Sequence, residues 1–234
     1  MNGTVDVLVL APHPDDAEIG CGGTILKLTR QHRSVAVVDM TRGEKGSRGD
    51  APTRAREAEI AATKMGLSAR ENLGLPDTEL CDDAQALRAV LGAIRRYRPA
   101  LLFAPHAQDP HPDHAAAHAI CRRAWFHAGL KNVLPDLGPP FRPDRVLWYP
   151  GNDLVPASVV IDISDVAAQK LELVRCYGSQ VSAGERAHFV HKLDPIERVE
   201  LRDRLYGSRA GVRAGEGFVA ENGLRLSDPQ TLLA

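Results

Sequence analysis

Val7-Leu8-Val9-Leu10-Ala11-Pro12-His13-Pro14-Asp15-Asp16-Ala17-Glu18 decides how this chain is read. Its first five residues are apolar and rich in branched side chains, the pattern of a buried strand. The run stops at Pro12, and His13, Asp15 and Asp16 follow at once. A strand thus delivers an imidazole and two carboxylates to the loop at its C-terminal end. In open α/β sheets that edge is where ligands bind. An acidic pair ahead of a helix also serves as an N-cap, so this stretch alone does not separate capping from chemistry.

A second stretch with the same grammar does. Ala100-Leu101-Leu102-Phe103-Ala104-Pro105 is again an apolar run closed by proline, and His106-Ala107-Gln108-Asp109-Pro110-His111-Pro112-Asp113-His114 follows it. Three of the nine histidines fall in those nine residues, with two aspartates among them. Imidazole and carboxylate are the ligands of catalytic zinc, which takes three protein groups and keeps one position open. His13 and Asp16 stand three residues apart, as do His111 and His114, a spacing at which side chains converge where a turn enters a helix. Four candidates exceed three, which leaves one of the later histidines for catalysis. His114 begins the helix proper and is held more rigidly, so His13, Asp16 and His114 are assigned to the metal.

Asp15 then stands beside the ion without ligating it, suited to take a proton from water that the ion acidifies. His111 faces the other side of the substrate carbonyl, to stabilise an oxyanion or pass a proton to the leaving amine. Asp113 is expected to hydrogen-bond the His111 ring and keep it charged. The residues point to metal-assisted hydrolysis of an amide or ester without a covalent intermediate. His106, His118, His127, His188 and His191 are read as surface or helix residues.

Outward from the first stretch, Asp15 to Gln31 reads as a helix interrupted by Gly20-Cys21-Gly22-Gly23, where close packing against the sheet explains the glycines. Ser34 to Met40 is a second buried strand, completing a βαβ unit with a parallel pair and a right-handed crossover. Thr41 to Thr53 is a polar, glycine-rich loop leaving the same sheet edge as His13, and its Glu44 is a candidate substrate contact. Helices are expected over Arg54–Met65, Ala84–Tyr97, Asp113–His127, from a Ser164 cap to about Tyr177, and over Pro195–Tyr206. Strands are expected at Ala100–Ala104, Val146–Tyr149, Ser158–Ile163 and Gly217–Val219, with a short strand and turn at Asn72–Asp77. The proline-rich connection Gly129–Pro143 suits contact with another chain, with Arg142 within reach of it. The fold expected is α/β and Rossmann-like: a mostly parallel sheet flanked by helices, one domain over residues 1–234, with a less regular C-terminal part.

The 234 residues carry a net charge of −1, which gives no nucleic-acid-binding surface and no polybasic membrane anchor. No signal peptide and no apolar run of membrane-spanning length is visible. Cys21, Cys81, Cys121 and Cys176 are scattered, as reduced thiols of a cytoplasmic protein are.

Ala11-Pro12-His13-Pro14-Asp15-Asp16-Ala17-Glu18 closely resembles the A-H-P-D-D-x-E signature of the LmbE-like, or PIG-L, N-acetylglucosaminide deacetylases, and His111-Pro112-Asp113-His114 matches their H-P-D-H. Thr41-Arg42-Gly43-Glu44, Gly74-Leu75-Pro76-Asp77, Tyr177-Gly178-Ser179-Gln180 and Gly215-Glu216-Gly217-Phe218 are similar to the bacillithiol-biosynthesis branch. The resemblance implies an LmbE-like fold, a zinc-dependent hydrolase and removal of acetyl from N-acetylglucosaminyl malate. It carries His13, Asp16 and His114 onto the metal ligands, Asp15 onto the general base, His111 onto the electrostatic histidine and Asp113 onto the residue that orients it. Arg54 falls on a substrate-binding arginine. Relatives assemble as trimers or hexamers, which implies a homo-oligomer. Pro110 departs from the pattern, since many relatives carry arginine there. Chitooligosaccharide, mycothiol-type and antibiotic precursors stay open as substrates, and iron(II) or cobalt as the metal. A nucleotide-binding Rossmann module is the rival from another class, but Gly20, Gly22 and Gly23 fall inside the helix and not in the turn that such a fingerprint needs.

Overall fold

The computed structural model, which describes residues 3–181 and 193–224, begins with the expected βαβ unit: β1 (Val7–Ala11), α1 (Asp16–Arg30) and β2 (Val35–Thr41). α2 (Ala51–Met65), β3 (Ala69–Leu75), α3 (Ala84–Tyr97), β4 (Leu101–Pro105), α4 (Pro112–Ala128) and β5 (Arg145–Tyr149) continue the alternation. β6 (Val159–Asp162), α5 (Ala167–Arg175), α6 (Gly178–Val181), α7 (Pro195–Arg209) and β7 (Gly215–Ala220) complete it. His188 and His191 lie outside the described residues.

The strands form one sheet in the order β3-β2-β1-β4-β5-β7-β6. β1 to β5 run parallel, and β7 pairs antiparallel with both β5 and β6. The mostly parallel α/β sheet of the sequence reading is therefore present. β1 and β2 are buried along their whole length, as parallel strands covered on both faces must be. One face packs α3 and α4 through residues such as Leu91, Ile94 and Ile120; the other packs α1, α2 and α5 through Ile25, Met65 and Leu173. From β1 the strand order runs outward on one side to β2 and β3 and on the other to β4 and β5. The carboxyl ends of β1 and β4 therefore meet at the switch point where such sheets bind ligands.

Local chemistry sets the helix starts. Asp50 caps α2 by accepting from the Thr53 N–H at 2.8 Å, and Asp83 caps α3 by accepting from Ala86 N–H at 2.8 Å. The glycine run in α1 marks a real break: Cys21 has φ −146° and ψ 20° inside the helix. A Cβ on Gly20 would stand 2.3 Å from the Tyr149 ring of β5, so only glycine lets that ring lie flat under the helix. The Tyr149 hydroxyl donates to Leu10 O at 2.8 Å, fixing β5 to β1 beside the site.

Two readings are corrected. Ser164 does not cap α5: its hydroxyl donates to Asp162 Oδ1 at 2.6 Å, and the helix starts later, behind Val166. β3 begins at Ala69 and not at Asn72. It is an edge strand whose Arg70 and Glu71 hide the usual alternation. The connection from Gly129 to Pro143 is held by its own chain, since Arg95 donates to the carbonyls of Ala128, Leu130 and Leu134. Arg142 donates to Phe126 O. Among the described residues no helix is long and apolar enough to cross a membrane.

Candidate active site

Pro12 leaves β1 with its carbonyl accepting from the Thr41 N–H and hydroxyl, both at 3.1 Å. The chain then turns sharply through His13 and Pro14 into α1. Asp15, just ahead of the helix, takes φ 117°, a region a residue with a Cβ rarely enters and one that marks functional sites. The turn splits the two neighbouring carboxylates. Asp16 Oδ2 accepts from the His13 N–H at 2.9 Å and lies 3.2 Å from His13 Nδ1 and 3.3 Å from His114 Nε2. Asp15 takes no part in those contacts; its Oδ2 lies 3.2 Å from Arg54 Nη2.

His114 arrives from the first turn of α4. His111 is the N-cap of that helix, and its Nδ1 accepts the Asp113 N–H at 3.2 Å. The three imidazoles pack together, His111 stacking on His114 with centroids 4.8 Å apart and meeting His13 edge-on at 4.9 Å. Ligand atoms of His13, Asp16 and His114 all lie within 4.8 Å of one another, and so do those of His13, His111 and Asp113. The first group fits a divalent cation. In the second, Asp113 is already engaged by the amides of Thr78 at 2.8 Å and Leu80 at 3.3 Å, and His111 Nδ1 by an amide.

The far side of each ligand imidazole strengthens the fit. His13 Nε2 lies 3.0 Å from Asp113 Oδ2 and 3.2 Å from Asp77 Oδ1. His114 Nδ1 lies 3.0 Å from Asp109 Oδ2, an ion-pair contact without hydrogen-bond alignment. A carboxylate behind a ligating histidine fixes its tautomer and raises its basicity, the arrangement metal sites favour. Burial opposes charge on His13, but hydrogen bonds from Asp113, Asp16 and Asp77 outweigh it and hold the ring well above the usual histidine range. Burial likewise opposes charge on His114, and Asp16 and Asp109 lift it to about 10. Burial raises the Asp16 carboxyl, but the two imidazoles win and hold it well below its usual range. A buried carboxylate between two imidazoles, with further carboxylates behind them, is a donor set suited to a divalent cation. Burial raises Asp15 to about 7 against the pull of Arg54.

The expected link between the Asp113 carboxylate and the His111 ring is replaced by another. Asp113 bonds His13, because the cap geometry turns its carboxylate toward β1 and leaves only its N–H for His111. Burial first, then the charges of His114 and His13, lower the His111 pKa, which works against the charged ring that the sequence reading expected. Arg54 is buried, with Nη2 on Pro14 O and Asp15, which places it behind the general-base candidate. Glu44 is exposed and braces its loop, accepting from the N–H groups of Arg42 and Asp77, both at 3.2 Å. Asp77 and Asp109 had no assigned role in the sequence. Asp109 lies two residues before His111 and Asp77 ends the Gly74–Asp77 motif, but nothing local says that either reaches an imidazole.

Residues 8–125 match the family model described as PIG-L: GlcNAc-PI de-N-acetylase. The diacetylchitobiose deacetylase of Thermococcus kodakarensis is 32% identical over 230 residues, covering 93% of this chain and 83% of that protein. The 2'-N-acetylparomamine deacetylase of Streptomyces fradiae is 30% identical over 203 residues, 74% of this chain and 72% of that one. The crystal structure of the conserved protein TT1542 from Thermus thermophilus superposes with a TM-score of 0.86 at 37% identity, covering 97% of this chain and 98% of that one. With the two signature loops meeting at one sheet edge and the family model spanning both, the chain belongs to the PIG-L family of N-deacetylases.

Proposed function

We propose that this protein is a zinc-dependent hydrolase that removes the acetyl group from an N-acetylglucosaminide, with N-acetylglucosaminyl malate of bacillithiol biosynthesis as the substrate. One observation supports the division of labour above all: adjacent aspartates with separate attachments, Asp16 between two imidazoles and Asp15 on Arg54. His13, Asp16 and His114 hold the ion. When bound, zinc supplies Lewis acidity toward the amide carbonyl and acidifies water. Asp15 accepts the proton of the attacking water and passes it to the amine nitrogen as the C–N bond breaks, releasing acetate and the free amine, while Arg54 keeps its carboxylate aimed. His111 accepts an amide proton on Nδ1, so its own proton sits on Nε2, where it donates to the carbonyl oxygen as negative charge develops. Asp113 and Asp77 on His13, and Asp109 on His114, keep the ligand rings in register.

The malate reading is supported by the motifs shared with that branch and by cations at the sheet edge. Arg42 is exposed in the loop after β2. Burial and the Arg202 charge lower the pKa of Arg198 on α7, against the charges of Asp109, Asp15 and Asp16, which favour its charged form. Guanidinium groups suit the two carboxylates of malate. Acetate release from the malate glycoside, N,N'-diacetylchitobiose and free N-acetylglucosamine tests it. The highest kcat/KM is expected for the malate glycoside; equal or greater values for chitobiose would replace the branch while keeping the reaction. A homo-oligomer, trimer or hexamer, belongs to the same reading, and light scattering checks it.

A further inference from the structure

The break in α1 leaves backbone groups that α7 and β7 take up. Glu216 of β7 accepts from Gly23 N–H at 2.8 Å and Thr24 N–H at 2.7 Å, capping the second part of the helix. Arg202 of α7 donates through Nη2 to Ile19 O, in the short turn between Asp16 and the break. Through Nη1 the same guanidinium donates to Gly151 O at 2.6 Å and Pro150 O at 3.3 Å. That loop, which follows β5, braces the other half of the site. Asn152 holds Asp109 through its N–H at 2.6 Å and its side-chain amide at 3.0 Å. Asp109 in turn lies against His114 Nδ1. Gly151 packs so close that a Cβ there would stand 2.7 Å from His114 Nδ1 and 2.2 Å from Asp109 Oδ2.

Arg202 is buried beside Asp203, which also pairs with the fully buried Lys170 at 2.7 Å. Lys170 reaches Glu216 at 2.7 Å. The charges of the cluster balance, so the guanidinium is held rigidly and away from water. Its planar fork spans one carbonyl of α1 and two of the Pro150–Gly151 loop, which a lysine ammonium on a flexible stem does not reproduce.

We propose that Arg202 is a positioning residue for the metal site, fixing the spacing between the Asp16 turn of α1 and the Gly151–Asp109–His114 arm. This rests on the metal reading of His13, Asp16 and His114. A purely structural arginine would lower stability without changing how the ligands meet an ion, so affinity for zinc itself separates the two.

The test strips the full-length protein with a chelator and titrates zinc against a chromogenic competitor, for the parent, Arg202→Met, Arg202→Lys and Tyr206→Phe. Tyr206 lies on the same helix, and among the described residues its hydroxyl bonds the backbone of Val155, at 2.9 Å and 3.0 Å, away from the metal ligands, so losing that hydroxyl reports stability. Arg202→Met is expected to bind zinc about tenfold more weakly or worse, the range seen for residues that orient metal ligands. Arg202→Lys should fall between it and the parent, and Tyr206→Phe should unfold at lower urea with parental zinc affinity. Parental affinity in folded Arg202→Met overturns the proposal, and so does an equal loss in Tyr206→Phe. Should Arg202→Met fail to fold, Arg202→Lys decides: weaker binding supports the role and parental binding overturns it. A parent that binds no zinc overturns the metal site itself, a result distinct from equal binding by parent and variant.

Discussion

Asp15 and Asp16 are chemically identical and adjacent, yet the turn at φ 117° sends one carboxylate to Arg54 and the other to two imidazoles. The signature motif made those two residues legible in the sequence, because residue types and spacing carry the ligand chemistry. What lies behind the ligands was not legible. Adjacency suggested that Asp113 serves His111, but a helix N-cap uses the Asp113 amide and turns its carboxylate toward His13, a hundred residues away in sequence. Asp113→Asn keeps the shape and removes the charge behind His13. Zinc affinity is expected to fall about 10–100-fold with folding intact, measured by chelator competition. Unchanged affinity with a lowered kcat would instead return Asp113 to His111.

At the scale of elements, the join between β4 and α4 carries a proton-sensitive contact. His118 of α4 packs on Trp148 of β5 with centroids 4.4 Å apart, 6.1 Å from His106, and its Nδ1 lies 3.1 Å from Pro105 O. Burial lowers the pKa of His118, and burial with the His118 charge lowers that of His106. The folded state therefore prefers both rings neutral. Their contribution to stability is complete above the unfolded value of about 6.5 and is lost as pH falls through the lower folded values. Urea unfolding at stepped pH should show parent stability dropping below about pH 6.5, with a shallower drop in His118→Asn; parallel curves would contradict this. α3 and α4 were read from sequence to within a residue or so because apolar period and capping agree there. The start of α5 was misplaced because Ser164 looks like a cap but bonds Asp162. The antiparallel pairing of β7 with β5 and β6 has no local signal, since pairing is decided across the molecule.

Across the whole molecule, the family match ends at residue 125, while the contacts that brace the site reach past it. Sheet order brings β1 beside β4, so two loops with the same strand-proline-ligand grammar meet at one edge. That recurrence is why the site could be anticipated. The C-terminal elements then fasten it through Arg202 and Glu216, whose partners on α1 and the loop after β5 are backbone groups and so leave no trace in residue type. The central claim is that this edge hydrolyses an N-acetyl group with Asp16 holding the ion and Asp15 moving the proton. The most direct measurement pairs zinc content with kcat for acetate release from the N-acetylglucosaminide, in Asp15→Asn and Asp16→Asn beside the parent. Asp15→Asn should keep near-full zinc while kcat falls about 10²–10⁴-fold, the usual contribution of a general base, and Asp16→Asn should lose zinc. Near-parental kcat in fully zinc-loaded Asp15→Asn, or zinc lost from Asp15→Asn but kept in Asp16→Asn, would contradict the account.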